Sequence, residues 1–253
     1  MIPMDDRGLL LGDGLFETVL AKAGELMLWD RHMDRLARGC AALGLPAPAP
    51  STCETQAREA LTAGGLADQR AAVRVTWTAG SGGRGLDRPE APSPRLIVGA
   101  VQTPLLSSPV RLATSTVRRN PSSPTSRLKT LAYLDQVMAR SQARAAGADE
   151  AVMLSTDGRV ACAAAANLFW IEGRELFTPS LDCGVLDGTI RGLLIERLGA
   201  HEVAADPEVL ARAEAVFLTS SLIGVRPASA LDSAALADHP LIARARAAVA
   251  EAI

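Results

Sequence analysis

The stretch RRNPSSPTSR at 118–127 constrains the fold more than any other. Pro121 and Pro124 each remove a backbone donor and push the preceding residue out of the helical region. The serines and threonine between them compete locally for backbone hydrogen bonds, and nothing in the stretch is apolar enough to bury. The chain is therefore expected to build a core on either side. The expected organisation is an N-terminal lobe at 1–117, a linker at 118–127 and a C-terminal lobe at 128–253. A chain of 253 residues is long enough for one large domain or for two modest ones.

Within the first lobe, residues 8–28 read as a hairpin with a turn at Lys22–Glu25. Trp29, Met33, Leu36, Cys40 and Leu43 then recur at helical spacing until Gly44 stops the helix. Ser51-x-x-Glu54 has the pattern of a capping box for a second helix ending at Gly64-Gly65. Strands are expected at Ala71–Thr78, Leu96–Ala100 and Val110–Val117. The second lobe should hold a helix over about 130–146, a hairpin turning at Asp157-Gly158 and the strand Leu168–Ile171. A helix from about Thr189, a strand at Ala215–Thr219 and a helix from about Pro240 complete it. The mixture predicts an α+β arrangement in two lobes, without a doubly wound sheet.

Composition narrows the function. A hydrophobic fraction of 48% with 21% charged residues is that of a globular chain. The formal charge of −2 gives no basic surface for nucleic acid. No apolar run approaches the roughly 20 residues that a bilayer span needs, and MIPMDDRGLLLGDG has the wrong charge and length for a signal peptide. Cys40, Cys53, Cys162 and Cys183 lie far apart, so they read as reduced thiols of a cytoplasmic protein. With only His32, His201 and His239 beside them, no metal site is expected.

Two lysines stand out among 26 basic residues, the other 24 being arginine. A guanidinium stays protonated and cannot form an imine, so a lysine kept in such a chain is a candidate for amine chemistry. Lys22 sits in a polar turn and needs no function. Lys129 is flanked by apolar residues, with Leu128, Leu131, Leu134 and Met138 at helical spacing; desolvation there would free its amine as a nucleophile. Gly188-Thr189 opens a helix whose amides suit a phosphate, an ordinary cap by Asp187 being the plain alternative. Gly80-Ser-Gly-Gly-Arg-Gly85 satisfies G-x-G-x-x-G, but LDRPEAPSP follows it where a dinucleotide site needs a helix. That loop is either a solvated hairpin tip or a rim carrying Arg84.

These pieces together resemble the fold-type IV pyridoxal-phosphate enzymes, the class-IV aminotransferase group. The resemblance runs through GDGLFET at 12–18, HMDRL at 32–36, GSGGRGL at 80–86 and LKTLAYLDQV at 128–137. It continues in GADEAVMLSTDGRV at 147–160, NLFW at 167–170, TPSLDCGVLDGTIR at 178–191 and VFLTSSLIGV at 216–225. It implies Lys129 as the Schiff-base lysine. Arg35, the Thr189 and Ile190 amides and the Ser221 hydroxyl are implied for the cofactor phosphate, and Tyr133 for the ring hydroxyl. Arg84 falls where D-amino-acid aminotransferases place an arginine for the substrate carboxylate. A homodimer is implied as well.

Two positions depart from the family pattern. Cys162 stands where a glutamate normally faces the pyridine nitrogen, and Ala132 where asparagine is usual. A charge pair at about 3 Å and an effective dielectric of about 20 is worth roughly 5 kcal/mol before desolvation. A thiol, with a reference pKa of about 8.5, supplies little of that at neutral pH. Within the group the chain is most similar to 4-amino-4-deoxychorismate lyases, whose aromatic product tolerates a weaker electron sink. Aminotransfer from D-amino or branched-chain amino acids is the alternative, and cofactor binding with little turnover is a third.

Overall fold

The computed structural model describes residues 2–253, and the chain divides into two units. The first runs to Pro104 and takes in Leu128–Ala132; the second comprises Leu105–Arg127 and Tyr133–Ile253. Residues 105–117, expected with the first lobe, therefore group with the second.

The first unit is built of α1 (Arg7–Leu11), β1 (Gly14–Lys22), β2 (Glu25–Leu26), α2 (Trp29–Leu43), α3 (Pro50–Ala63), β3 (Arg70–Thr78) and β4 (Arg95–Gln102). Its antiparallel sheet has the order β2-β1-β3-β4. Strand β1 pairs with β3 along its whole length, from Gly14 opposite Thr78 to Lys22 opposite Arg70. On the other edge of β1, β2 reaches only Ala21 and Lys22. The 128–132 segment fills the far end of that edge: the Phe16 amide donates to the Lys129 carbonyl at 2.9 Å, and the Leu131 amide to Gly14 at 3.0 Å. Leu15, Val19 and Ala21 alternate toward one face, where they meet Met33, Leu36 and Cys40 of α2 and Cys53, Ala57 and Leu61 of α3. The spacing of three and four along α2 puts its apolar residues on one stripe, which is why it lies against the sheet.

The second unit holds β5 (Val110–Thr114), α4 (Leu134–Ala145), β6 (Glu150–Leu154), β7 (Val160–Ala163), β8 (Asn167–Glu172) and β9 (Glu175–Pro179). It continues with α5 (Thr189–Leu198), β10 (His201–Val203), α6 (Glu208–Arg212), β11 (Ala215–Ser220), β12 (Gly224–Leu231), β13 (Ala234–Ala235) and α7 (Pro240–Ala250). The strands form a mixed sheet in the order β10-β9-β8-β11-β12-β5-β6-β7, with β13 paired to β12. Its core includes Val110, Leu112, Val152, Leu168, Trp170, Val216 and Leu218.

Several sequence expectations change. Residues 8–11 are helical, because the Asp6 carboxylate accepts from the Gly8 and Leu9 amides and Gly12 ends the turn at φ 67°. Ser51 does not cap α3: Pro50 occupies the first turn and Ala49 is the cap, without a side-chain bond. Strand β5 stops at Thr114 because Gln142 takes the Ser115 hydroxyl at 2.7 Å and the Thr116 amide at 3.1 Å. The four alanines at 163–166 form no helix; the Ala163 amide donates to Ala166, closing the connection between β7 and β8. Helix α4 starts at Leu134, later than expected, and buries Ala139 and Ala143. Leu134 (69% exposed) and Met138 (51%) face outward. The apolar spacing therefore does not mark one helix face: Leu128 and Leu131 precede α4 and are half-buried, Leu128 against the first unit's core, and small alanines make the packing contact of α4.

Candidate active site

Lys129 lies on the extended segment along β1, with its Nζ 4.3 Å from the centroid of the Phe16 ring. The Arg74 guanidinium also lies against that ring, 3.8 Å from its centroid. Burial pulls the lysine pKa down to about 8, Arg35 and Arg74 adding to the fall and Glu17 opposing it. With a pKa of about 8, about a quarter of the amine is unprotonated at pH 7.5.

Glu17 is the hub of this cluster. It is buried in β1 and accepts two bonds from Arg35 of α2, Nε to Oε1 at 2.8 Å and Nη2 to Oε2 at 2.5 Å. His32, one helical turn before Arg35, contacts Glu17 Oε2 through Nδ1 at 2.6 Å. Burial by itself would raise the Glu17 carboxyl, but the Arg35 fork and His32 outweigh it and hold it at about 2. Burial lowers the His32 pKa, so the ring is neutral at pH 7. An ionised carboxylate can only accept, which assigns the ring proton to Nδ1.

Arg84 is exposed on the loop that carries the glycine motif, where it and Asp87 exchange backbone bonds at 3.1 and 3.2 Å. It is not among the charges acting on Lys129. No helix follows the motif, which runs through bridges and turns to β4, so the glycines do not form a dinucleotide cradle.

In the second unit, α5 begins at Thr189 and Ile190 behind Gly188, an N-cap that has no side chain to offer the helix amides. The cap position belongs to Gly188, one residue after Asp187, whose carboxylate lies 3.9 Å from Arg191 Nη1. Gly188 is required for a close approach, since a Cβ there would stand 1.9 Å from Asn167 Oδ1. Asn167 also donates to the Leu186 carbonyl at 2.8 Å, fixing the loop that enters the helix. Its cross-strand partner is Thr219, whose buried hydroxyl has no hydrogen-bond partner among the described residues. Ser221 sits in the turn between β11 and β12, and Tyr133 immediately precedes α4.

Cys162 on β7 packs with Ala161, Cys183 and Val185. Burial pushes its thiol up to about 11; Arg119 lowers it slightly and Glu150 raises it. Arg119 itself serves the carbonyls of Ser126 and Gly184. Glu150 is paired with Arg140 of α4. The four cysteines are free and buried.

Sequence reasoning placed Lys129 and Arg35, which the fold brings to one carboxylate, but missed that carboxylate and its histidine. A signal existed: Glu17 is a lone acid within the apolar strand GLFETVLA, and His32 precedes Arg35 by three on a helix.

Comparison with known proteins agrees with this architecture. The chain is 27% identical to an aminodeoxychorismate lyase from Vibrio harveyi, over 92% of this chain and 88% of that one. It is 31% identical to a putative branched-chain-amino-acid aminotransferase from Methanocaldococcus jannaschii, over 90% and 81%. A crystal structure of a putative 4-amino-4-deoxychorismate lyase from Legionella pneumophila superposes with a TM-score of 0.93 at 28% identity, covering 100% of this chain and 96% of that one. The two-unit α+β fold is thus that of fold-type IV enzymes, as the resemblance implied. The profile of the amino-transferase class IV family matches residues 14–231. This chain belongs to that enzyme family.

Proposed function

We propose that this chain is a pyridoxal-phosphate-dependent lyase that converts 4-amino-4-deoxychorismate into 4-aminobenzoate and pyruvate. The observation that carries the proposal is the Lys129 amine, brought by its surroundings to a pKa of about 8 beside the Glu17–Arg35 fork. The residues present suit a phosphorylated cofactor: Gly188, the N-cap of α5, brings no side chain to the helix amides, and the Thr219 hydroxyl is buried with no hydrogen-bond partner among the described residues. Lys129, Arg35, Tyr133, Thr189, Ile190 and Ser221 would hold it. When bound, pyridoxal phosphate supplies an aldehyde carbon for amines and a ring that draws electrons from the bond being broken.

The chain's own groups do the rest. Neutral Nζ of Lys129 takes a proton from the substrate, and the resulting ammonium returns it. Glu17 keeps Arg35 aimed, with His32 holding Glu17. Arg84 would receive a substrate carboxylate as a two-pronged donor. The Cys162 thiol, at about 11, is neutral at working pH and brings no negative charge to its surroundings. That favours a lyase, whose aromatic product supplies driving force, over repeated transamination.

Aminotransfer from D-amino or branched-chain amino acids is the second possibility, favoured by the 31% identity to the archaeal relative. Its test is direct: an amino donor must convert the cofactor to its pyridoxamine form. Cofactor binding with little turnover is a third, separated by assay at catalytic enzyme levels. Pyruvate and 4-aminobenzoate formed together from 4-amino-4-deoxychorismate support the lyase; donor-dependent absorbance change without pyruvate sinks it. The exposed Leu134, Val137 and Met138 of α4 support a homodimer, which sedimentation of the full chain tests.

A further inference from the structure

Arg7 is almost fully buried, at 4% exposure, and both of its terminal nitrogens serve a single loop. Its Nη1 donates to the carbonyls of Asp87 at 2.9 Å, Gly85 at 3.3 Å and Gly82 at 3.4 Å. Its Nη2 donates to Leu86 at 2.9 Å, and its Nε to Asp13 Oδ2 at 2.9 Å. One guanidinium thus gathers four carbonyls that bracket Arg84. The loop could not hold this shape unaided, because Gly82, Gly83 and Gly85 all have positive φ, at 98°, 84° and 60°, and glycine loses the most freedom on ordering.

The anchor is itself fixed from two sides. Asp6 caps α1 just before Arg7 and accepts from the Thr78 hydroxyl at 2.9 Å. Asp13 accepts from both Arg7 and Arg88, and Arg88 Nε lies 3.0 Å from Oδ2. The Arg88 bonds hold the Asp13 carboxyl below the usual carboxylate range against the pull of burial, with Arg7 adding to them. The Ala79 amide donates to the Asp13 carbonyl at 2.9 Å, tying the same residue to the end of β3. Packing around the guanidinium is close: a Cβ on Gly83 would stand 2.0 Å from the Asp87 carbonyl oxygen and 3.0 Å from Arg7 Nη1.

We propose that Arg7 is a positioning residue, which shapes the 82–87 loop so that Arg84 is held ready for a substrate carboxylate. The proposal rests on the assignment of Arg84 made above. Arg7 touches no substrate; it removes the ordering cost that a glycine loop would otherwise add to each binding event. Its loss should therefore appear in KM and not in kcat.

The test compares Arg7→Met with Arg84→Gln in the holoenzyme. Arg84→Gln should raise KM for 4-amino-4-deoxychorismate about tenfold or more. Arg7→Met should raise KM about five- to twentyfold with kcat within about twofold and unchanged cofactor absorbance. Tryptic cleavage of the Arg84–Gly85 bond, followed by mass spectrometry, should quicken at least fivefold in Arg7→Met. Wild-type KM and cleavage rate in a folded Arg7→Met protein would overturn the proposal. Faster cleavage with KM unchanged in both variants would sink the Arg84 assignment and leave the anchoring intact. If Arg7→Met fails to fold, Gly83→Ala disturbs the same bonds from the loop side. A raised KM with kcat kept then supports the proposal, and a wild-type KM overturns it.

Discussion

Lys129 in the first unit is half-buried and Cys162 in the second is buried, yet the loss of water prepares one for reaction and silences the other. Desolvation disfavours whichever form is charged. For the amine that form is the ammonium, so the pKa falls to about 8 and the nucleophile is released. For the thiol it is the thiolate, so the pKa climbs to about 11 and the group stays inert. Glu17 shows what reverses the trend. It is more buried than either, but a two-pronged arginine and a histidine keep it charged at about 2. Burial therefore neutralises, and only a geometrically matched partner preserves charge.

Removing the amine gives the largest expected effect. Lys129→Ala should lower pyruvate formation by at least about four orders of magnitude, and borohydride should fix no cofactor mass at that position. Retained activity would make the amine incidental to the first unit. Next is Glu17→Gln, which takes the partner from Arg35 within a buried cluster. A cost of about 3–5 kcal/mol should appear as a lower denaturation midpoint. Because Glu17 now supports the Lys129 ammonium, its loss should lower the amine pKa further, shifting the acid limb of the pH–rate profile downward. An unchanged limb would uncouple the two groups.

Cys162→Glu tests the second unit. Among Ala161, Cys183 and Val185 a carboxylate should destabilise the cofactor-free protein by about 1–3 kcal/mol. In the loaded enzyme it should shift the absorbance and raise amino-donor half-reaction rates about tenfold. An unaltered spectrum would show that position 162 does not face the ring.

A subtler contrast lies in pH. Since the Lys129 pKa is lowered from 10.5 to about 8 in the folded state, the unfolded chain binds more protons between those values, and stability gains with rising pH there. The cofactor-free Lys129→Met protein should thus be more stable than the parent at pH 7, the gap closing between about pH 8 and 10.5. Urea midpoints at each pH measure it, and a constant gap would contradict the assigned cause. Ser51→Ala should do least, within about 0.5 kcal/mol, because Ser51 lies inside α3 and caps nothing; a loss near 1 kcal/mol, typical of a lost cap, would restore the capping box.

Much of the fold was legible where local chemistry suffices. Helix α2 kept its ends because Gly44 adopts a left-handed φ of 65° behind a regular stripe. The Asp157-Gly158 turn appeared where expected, Gly158 at φ 85°. Reading failed where several local outcomes compete. The leucines at 9–11 suit strand or helix alike, and Asp6 decided. The leucines before Met138 stand at helical spacing, yet α4 begins only at Leu134, while the alanines that truly pack carry almost no signal.

The sequence by itself determined the chemical inventory: a scarce lysine in an apolar setting, glycines at forced turns, and an order of motifs that a class-IV family shares. Those depend on residue identity and on neighbours a few positions away. Only the tertiary structure decided which charges meet. Glu17 gathers His32 and Arg35, 15 and 18 residues on, and Arg7 holds carbonyls 75 to 80 residues on. Electrostatic energy depends on distance through space, so no spacing along the chain could reveal which charges surround the Lys129 amine or that a glycine loop is tied down.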